Sequence, residues 1–349
     1  MSTADSAVRL TQTVSCGGCA GKLDPNLLSA SLHGIAWPSD ERVIVGFAQC
    51  DDAAVYRLED GTLLLSTTDF FTPIVDDPET YGAIAATNAL SDIYAMGGEP
   101  LFALNILHYP EALGPEILRA ILAGGARVCS DARCPIVGGH SVKAPEMTYG
   151  LAVTGRIRAG ERFFANAGAQ VGDALVLTKA LGTGILATAT KKGLITPDEH
   201  RTFLASLLRL NRHAADAMQR HRVHAATDIT GFSLAGHGSE LASASGVRLR
   251  IDSQRLPMLP GTERAIAAGC LTRGDRSNRL YAGDRARVHP GVAPARDHLA
   301  FDPQSSGGLL IAVAAGDADA LVRDLRDGGD EPATVVGEIV AGAAGIDLV

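Results

Sequence analysis

The sequence has no apolar run approaching the roughly eighteen residues that a bilayer span requires. Its first residues, MSTADSAVRLTQ, also lack the hydrophobic stretch of a secretory signal. A cytoplasmic protein with no membrane partner is therefore expected. Positive charge is scarce as well: 31 Lys and Arg stand against 39 Asp and Glu, for a formal charge of −8. That balance offers nothing to nucleic acid, and an anionic substrate would have to arrive with its own metal. Six cysteines in 349 residues are too few for a disulfide scaffold and read as thiols in a reducing compartment. Cys50, Cys129, Cys134 and Cys270 lie in mostly apolar stretches and are expected to pack there.

With 46% hydrophobic and 20% charged residues and 39 glycines, the chain is compact, rich in tight turns, and long enough for two domains with substantial cores. The polar, glycine-bearing stretch 158–172 marks the boundary, which gives an N-terminal segment 1–50 and domains at 51–157 and 158–349.

Several acids stand where packing gives them no reward. Asp51 and Asp52 lead into an apolar run, Asp69 follows another, and Asp92 lies deep in a predicted helix. Asp60-Gly61 between apolar runs 53–58 and 62–67 predicts a hairpin with acids near its ends. From Asp77-Pro78-Glu79 to Gly97-Gly98 the pattern is helical, with Pro78 in the first turn and glycines at the stop. Asn88 and Asp92, four apart, share a face with Tyr81, Ile84 and Ala85. A buried carboxylate is costly unless a cation meets it. Oxygen ligands without nearby imidazole or thiolate favour a hard ion such as Mg²⁺, whose remaining ligands are commonly phosphate oxygens. The plainer reading makes these acids turn caps, a strand end and an arginine partner.

Residues 13–25, TVSCGGCAGKLDP, predict a mobile, glycine-rich arm with exposed thiols. Cys19 lies three before Lys22, whose ammonium would raise its thiolate fraction. Cys16-Gly-Gly-Cys19 finds no second pair at zinc spacing and no strand for a thioredoxin-type motif. Gly21-Lys22 fails as a Walker loop, because Cys16 replaces its first glycine and Leu23 its Ser/Thr.

Further along, 100–107 reads as a strand and 114–130 as a helix. Residues 135–141 read as a short buried strand breaking into a loop, where His140 or Ser141 could donate to phosphate. Residues 148–157, 173–178 and 309–313 are expected strands, with a helix and strand after the last. Gly182, Gly184 and Ala187 fit GxGxxA after a strand, but no acid follows at the dinucleotide-site distance. Residues 197–222 predict one long helix, and the arginine-rich 273–296 a solvated loop. Asp228 either leads the helix after it or, if the halves close together, joins the other acids.

In chain order, RLTQ (9–12), Cys19-x-x-Lys22, DDAAVY (51–56), STTDFF (66–71), NALSDIYAMGG (88–98), VGGHS (137–141), TDITGF (227–232) and DPQSSGG (302–308) together resemble the selenophosphate synthetases, or selenide, water dikinases, of the aminoimidazole-ribotide-synthetase-like superfamily. The resemblance covers essentially the whole chain. It implies two α+β domains, N-terminal domains paired into a homodimer around a shared β-barrel, and a flexible arm over the nucleotide. It also implies conversion of ATP, selenide and water to selenophosphate, AMP and phosphate, the selenium coming as selenide or from a delivering protein. By position Cys19 and Lys22 match catalytic residues, and Asp52, Asp92 and Asp228 match the Mg²⁺ ligands. Asp69 and Gly139-His140-Ser141 match ATP-binding positions, with Lys22 and Asp92 also meeting ATP and Asp51 and Asn88 in support. Gly21 stands where some relatives have a second cysteine, and Cys16 is additional. The rival readings are another kinase or synthetase of the superfamily, which lacks the Cys-x-x-Lys arm, a non-catalytic selenium or metal carrier, and a nicotinamide oxidoreductase.

Overall fold

Gly61, at φ 86, closes the first hairpin, with the Leu58 amide donating to Thr62 O and the Asp60 carboxylate accepting from the Thr62 amide. The computed structural model that gives this geometry describes residues 8–15, 17–18, 25–46 and 50–349. Its N-terminal half runs α1 (Pro25–Leu32), β1 (Val43–Val45), β2 (Ala54–Arg57), β3 (Leu63–Phe71), α2 (Pro78–Ala95), β4 (Glu99–Tyr109), α3 (Gly114–Asp131), β5 (Ile136–Lys143) and β6 (Thr148–Arg156). The six strands form one mixed sheet of order β1-β2-β3-β6-β4-β5, parallel only between β4 and β5.

α2 is the axis of this half. Its first turn is capped by the Asp77 carboxylate, which accepts from the Thr80 amide at 2.8 Å, and Pro78 fills the position that needs no N–H. Every residue from Tyr81 to Ala95 except Asp92 is buried, because the sheet covers one side and α3 the other. The two helices meet through glycines. A Cβ on Gly82 would lie 1.9 Å from Ile121 O, and one on Gly124 1.9 Å from Glu79 O.

The C-terminal half contains β7 (Asp173–Leu177), α4 (Thr183–Lys191), α5 (Pro197–Leu207), α6 (Arg212–Arg220), β8 (Val223–Asp228), α7 (Ser233–Ser245) and β9 (Arg248–Ile251). It continues with α8 (Thr262–Ala267), α9 (Arg273–Ala282), β10 (Ala286–Val288), α10 (Pro294–Phe301), β11 (Leu309–Ala314), α11 (Ala318–Asp327), β12 (Thr334–Val340) and β13 (Gly345–Leu348). Its mixed sheet has the order β10-β13-β9-β12-β7-β11-β8. Strand alternation divides the core in two. Val176, Leu309, Ile311 and Val313 face a cluster that continues into the N-terminal half, whereas Leu175, Leu177, Leu310 and Ala312 face α7 and α10. The architecture is thus α+β, with two mixed sheets whose halves share one apolar core.

Five expectations are corrected. Part of the arm is docked: Leu10–Gln12 form a 3-10 turn with Leu10 fully buried, Val14 is 6% exposed, and Arg9 and Thr11 bind the Asp76 carboxylate. Residues 135–141 form no buried strand that breaks. β5 runs unbroken to Lys143 as an exposed edge beside β4. The stretch 197–222 is two helices, since the chain leaves helical geometry at 208–211 to send Asn211 to other partners. Finally, 273–296 is ordered, with Thr272 capping α9 and Arg279 bound to Asp275 and Asp297. Cys129, Cys134 and Cys270 are buried as expected, but Cys50 is exposed, at φ 49 in the turn before Asp51.

Candidate active site

The acids singled out in the sequence are carried to one place by four elements. Asp51 and Asp52 stand just before β2. On β3, Leu65, Thr67, Asp69 and Phe71 point to the same side, which faces α2, and that helix supplies Asn88 and Asp92. The end of β8 brings Asp228 from the other half.

Hydrogen bonds fix each of them. Thr67 donates to Asp92 Oδ2, and Asn88 Nδ2 donates to Asp69 Oδ2. The Asn88 carbonyl oxygen accepts the Ser306 amide at 2.7 Å. Both Asp51 oxygens accept the Asn166 amide at 3.2 Å, and Asn166 Nδ2 donates to Cys50 O at 3.0 Å. Thr227 Oγ1 donates across the two halves to Asp52 Oδ1 at 2.9 Å. Stretch 158–172 is therefore no slack linker, because Asn166 ties it to the first acid.

The acids also act on one another electrostatically. Burial raises the Asp52 carboxyl well above its ordinary value, and the charges of Asp228, Asp51 and Asp92 raise it further. Burial lifts Asp51 to about 6 despite the amides bound to it. Asp52 Oδ2 is sealed from solvent and has no partner among the described residues. An acid in that position fits a cation that the fold must receive from outside. As the side chains stand, no group of three or more Asp, Glu, His or Cys among the described residues is gathered tightly enough to hold an ion.

Not every expected residue joins this cluster. Gly139, His140 and Ser141 lie exposed on β5, separated from β3 by β6 and β4, which is about 14 Å at ordinary strand spacing. Cys16, Cys19 and Lys22 lie outside the described residues. Gly18, next to Cys19 in the chain, donates its amide to Thr72 O at 3.0 Å just past β3. A Cβ there would meet Ile74 Cγ2 at 2.4 Å and Ser305 Oγ at 2.8 Å, and its φ is +66. Gly18 is thus paired with the chain just past β3 at a point only glycine fits.

Thr67, Asn166 and Thr227 were not singled out in the sequence reading, and the 302–308 motif was noted there without a site role. The available signals were weak: a threonine two before Asp69, another directly before Asp228, and paired serines and glycines at the start of β11. Lys179 also went unremarked. It is 3% exposed, and burial lowers its ammonium to about 7, with Asp330 and Asp228 opposing that shift.

The GxGxxA match at Gly182 is a filled turn. Gln304 Oε1 accepts the Gly182 and Thr183 amides, and Asp302 Oδ2 accepts those of Gly184 and Ile185. The amides that would bind a dinucleotide are already taken.

The chain matches the family models "AIR synthase related protein, N-terminal domain" over residues 50–157 and "AIR synthase related protein, C-terminal domain" over 170–347. It is similar in fold to thiamine monophosphate kinase from Aquifex aeolicus, with 20% identity, a TM-score of 0.63 and coverage of 93% of this chain and 94% of that one. The hydrogenase maturation protein HypE in complex with ATP gives 16% identity and a TM-score of 0.64, over 94% and 87% of the two chains. Among curated proteins, it is 46% identical over 339 residues to the selenide, water dikinase of Nitratidesulfovibrio vulgaris, 96% of each chain. With that of Pelobacter propionicus it shares 44% over 337 residues, 96% of this chain and 97% of the relative. Matched almost end to end at this identity, the chain belongs to the selenide, water dikinase family of the AIR synthase related proteins.

Proposed function

We propose that this chain phosphorylates selenide at the expense of ATP, with selenophosphate, AMP and phosphate as products. The observation that carries the reading is the convergence of Asp51, Asp52, Asp92 and Asp228 from both halves, in a chain similar throughout to proteins named for that reaction.

Asp52, Asp92 and Asp228 would hold Mg²⁺, with Asn88 in support. The buried, partnerless Asp52 Oδ2 and the mutual repulsion of the acids fit such a tenant. Bound there, Mg²⁺ neutralises phosphate charge and orients the triphosphate. The chain's own residues do the positioning. Thr67 and Thr227 fix the rotamers of Asp92 and Asp52, and Asn88 fixes Asp69 toward the nucleotide. Cys19 and Lys22 would act with them, the thiol to receive or orient selenide and the ammonium to meet phosphate. Closure of the arm would keep water from the first transfer, while the second acceptor is water itself.

Gly139, His140 and Ser141 serve the same reading in a homodimer. The exposed β5 edge and the outward Phe70, Phe102, Leu104, Val137 and Val142 form an apolar face suited to a second copy. Through it the 139–141 backbone would approach the partner's nucleotide.

Phosphorus NMR of the protein with ATP, Mg²⁺ and selenide under anaerobic conditions tests the reaction. A phosphorus–selenium resonance together with AMP is expected. A carrier of selenium or metal makes no AMP, and that result would overturn the reading. Cys19→Ser should abolish selenide-dependent turnover while leaving nucleotide binding in place.

A further inference from the structure

Lys179 follows β7 and is buried beside the cleft rather than in it. Its Nζ donates to Arg209 O at 2.6 Å and to Ser306 O at 3.0 Å. Arg209 offers its carbonyl because the chain leaves helical geometry after α5. Ser306 sits at φ 48, a left-handed conformation in which a serine persists only where its surroundings impose it. On one side of that residue Lys179 holds the carbonyl; on the other, the amide donates to Asn88 Oδ1 at 2.7 Å. Asn88 then turns its Nδ2 to Asp69. An unbroken hydrogen-bonded chain therefore runs from Lys179 through Ser306 and Asn88 to Asp69, crossing from one half to the other. Beside it, Asn211 Nδ2 reaches Gly307 O at 2.9 Å and Ser91 Oγ at 2.8 Å. α2 is thus clasped to the 304–308 loop at two points one helical turn apart.

We propose that Lys179 is a positioning residue of the nucleotide site: it imposes the left-handed turn at Ser306 that fixes the Asn88 amide and, through it, the Asp69 carboxylate. The inference rests on the reading of the acidic cleft as an ATP site. Without the ammonium, Ser306 relaxes toward ordinary backbone geometry, its amide leaves Asn88, and the Asn88 side chain is held less firmly. The donor that Asn88 offers to Asp69 then shifts.

Lys179→Met removes both hydrogen bonds at similar length and apolar volume. Its KM for ATP, and its dissociation constant for Mg-ATP measured by calorimetry, should each rise about 10-fold while kcat moves much less, the pattern of lost ground-state positioning. Ser306→Gly placed in the same variant should restore both constants, since glycine adopts φ 48 unaided. A merely structural lysine predicts a lower melting temperature with unchanged ATP affinity, and no rescue by glycine. Either of those results overturns the inference. Should Lys179→Met not fold, Lys179→Gln and its Ser306→Gly derivative are read by the same two criteria. A wild-type protein that binds no Mg-ATP overturns the site reading and this inference with it. A wild type that binds normally beside an unaltered Lys179→Met overturns this inference alone.

Discussion

Asp52 is held in a place where burial and the neighbouring carboxylates make its charge unwelcome. Asp52→Asn should therefore raise the melting temperature in the absence of Mg²⁺, because it removes a buried charge repelled by Asp228, Asp51 and Asp92. The same change should cut AMP production by about 10²-fold or more; a variant as active as the parent would remove Asp52 from the site. The pH dependence has a definite sign. Folded Asp51 titrates near 6 and the unfolded carboxyl near 3.8, so the folded chain holds more protons between those values. Stability without cation thus falls as pH rises through that window, and stays reduced above it. Added Mg²⁺ should raise the melting temperature more at about pH 8 than at about pH 5, where protons compete for the same oxygens. Gly18→Ala, lacking room for its methyl group, should unseat the arm and lose most turnover while the melting temperature barely moves. These acids were legible in the sequence because a carboxylate among apolar neighbours has few structural excuses. Lys179, Thr67 and Asn166 were not, since each acquires its role only from a neighbour far away in the chain.

At the level of elements, α2 is the part most sensitive to small change, because its glycine contact with α3 sets where Asn88 and Asp92 sit. Gly82→Ala would place a methyl group on the Ile121 carbonyl, and should destabilise the protein by about 1–3 kcal/mol in urea unfolding. The hairpin, α2 and the strands β7 and β11 could all be read in advance from local turn chemistry and short apolar runs. The break at 208–211 could not, for Leu208, Arg209 and Leu210 are good helix formers and the interruption comes from Lys179 and Ser91. Likewise the arginines of α9 resemble a solvated loop until Asp275 and Asp297 are placed beside Arg279. The exposure of β5 was hidden for another reason: its sequence, IVGGHSVK, suits a covered strand, and a second copy of the chain is what would cover it.

At the scale of the whole molecule, that face makes a measurable claim. Val137→Lys, at a position 61% exposed in the single chain, should convert a dimer into a monomer in sedimentation analysis and reduce turnover in parallel. A parent that sediments as a monomer at working concentration would count against assembly through this edge. The apolar cluster that extends from Leu10 and Leu65 to Val176, Leu321 and Leu325 carries a different consequence. Because this cluster crosses from one half to the other, severing the chain between them should lay bare an oily wound on each fragment.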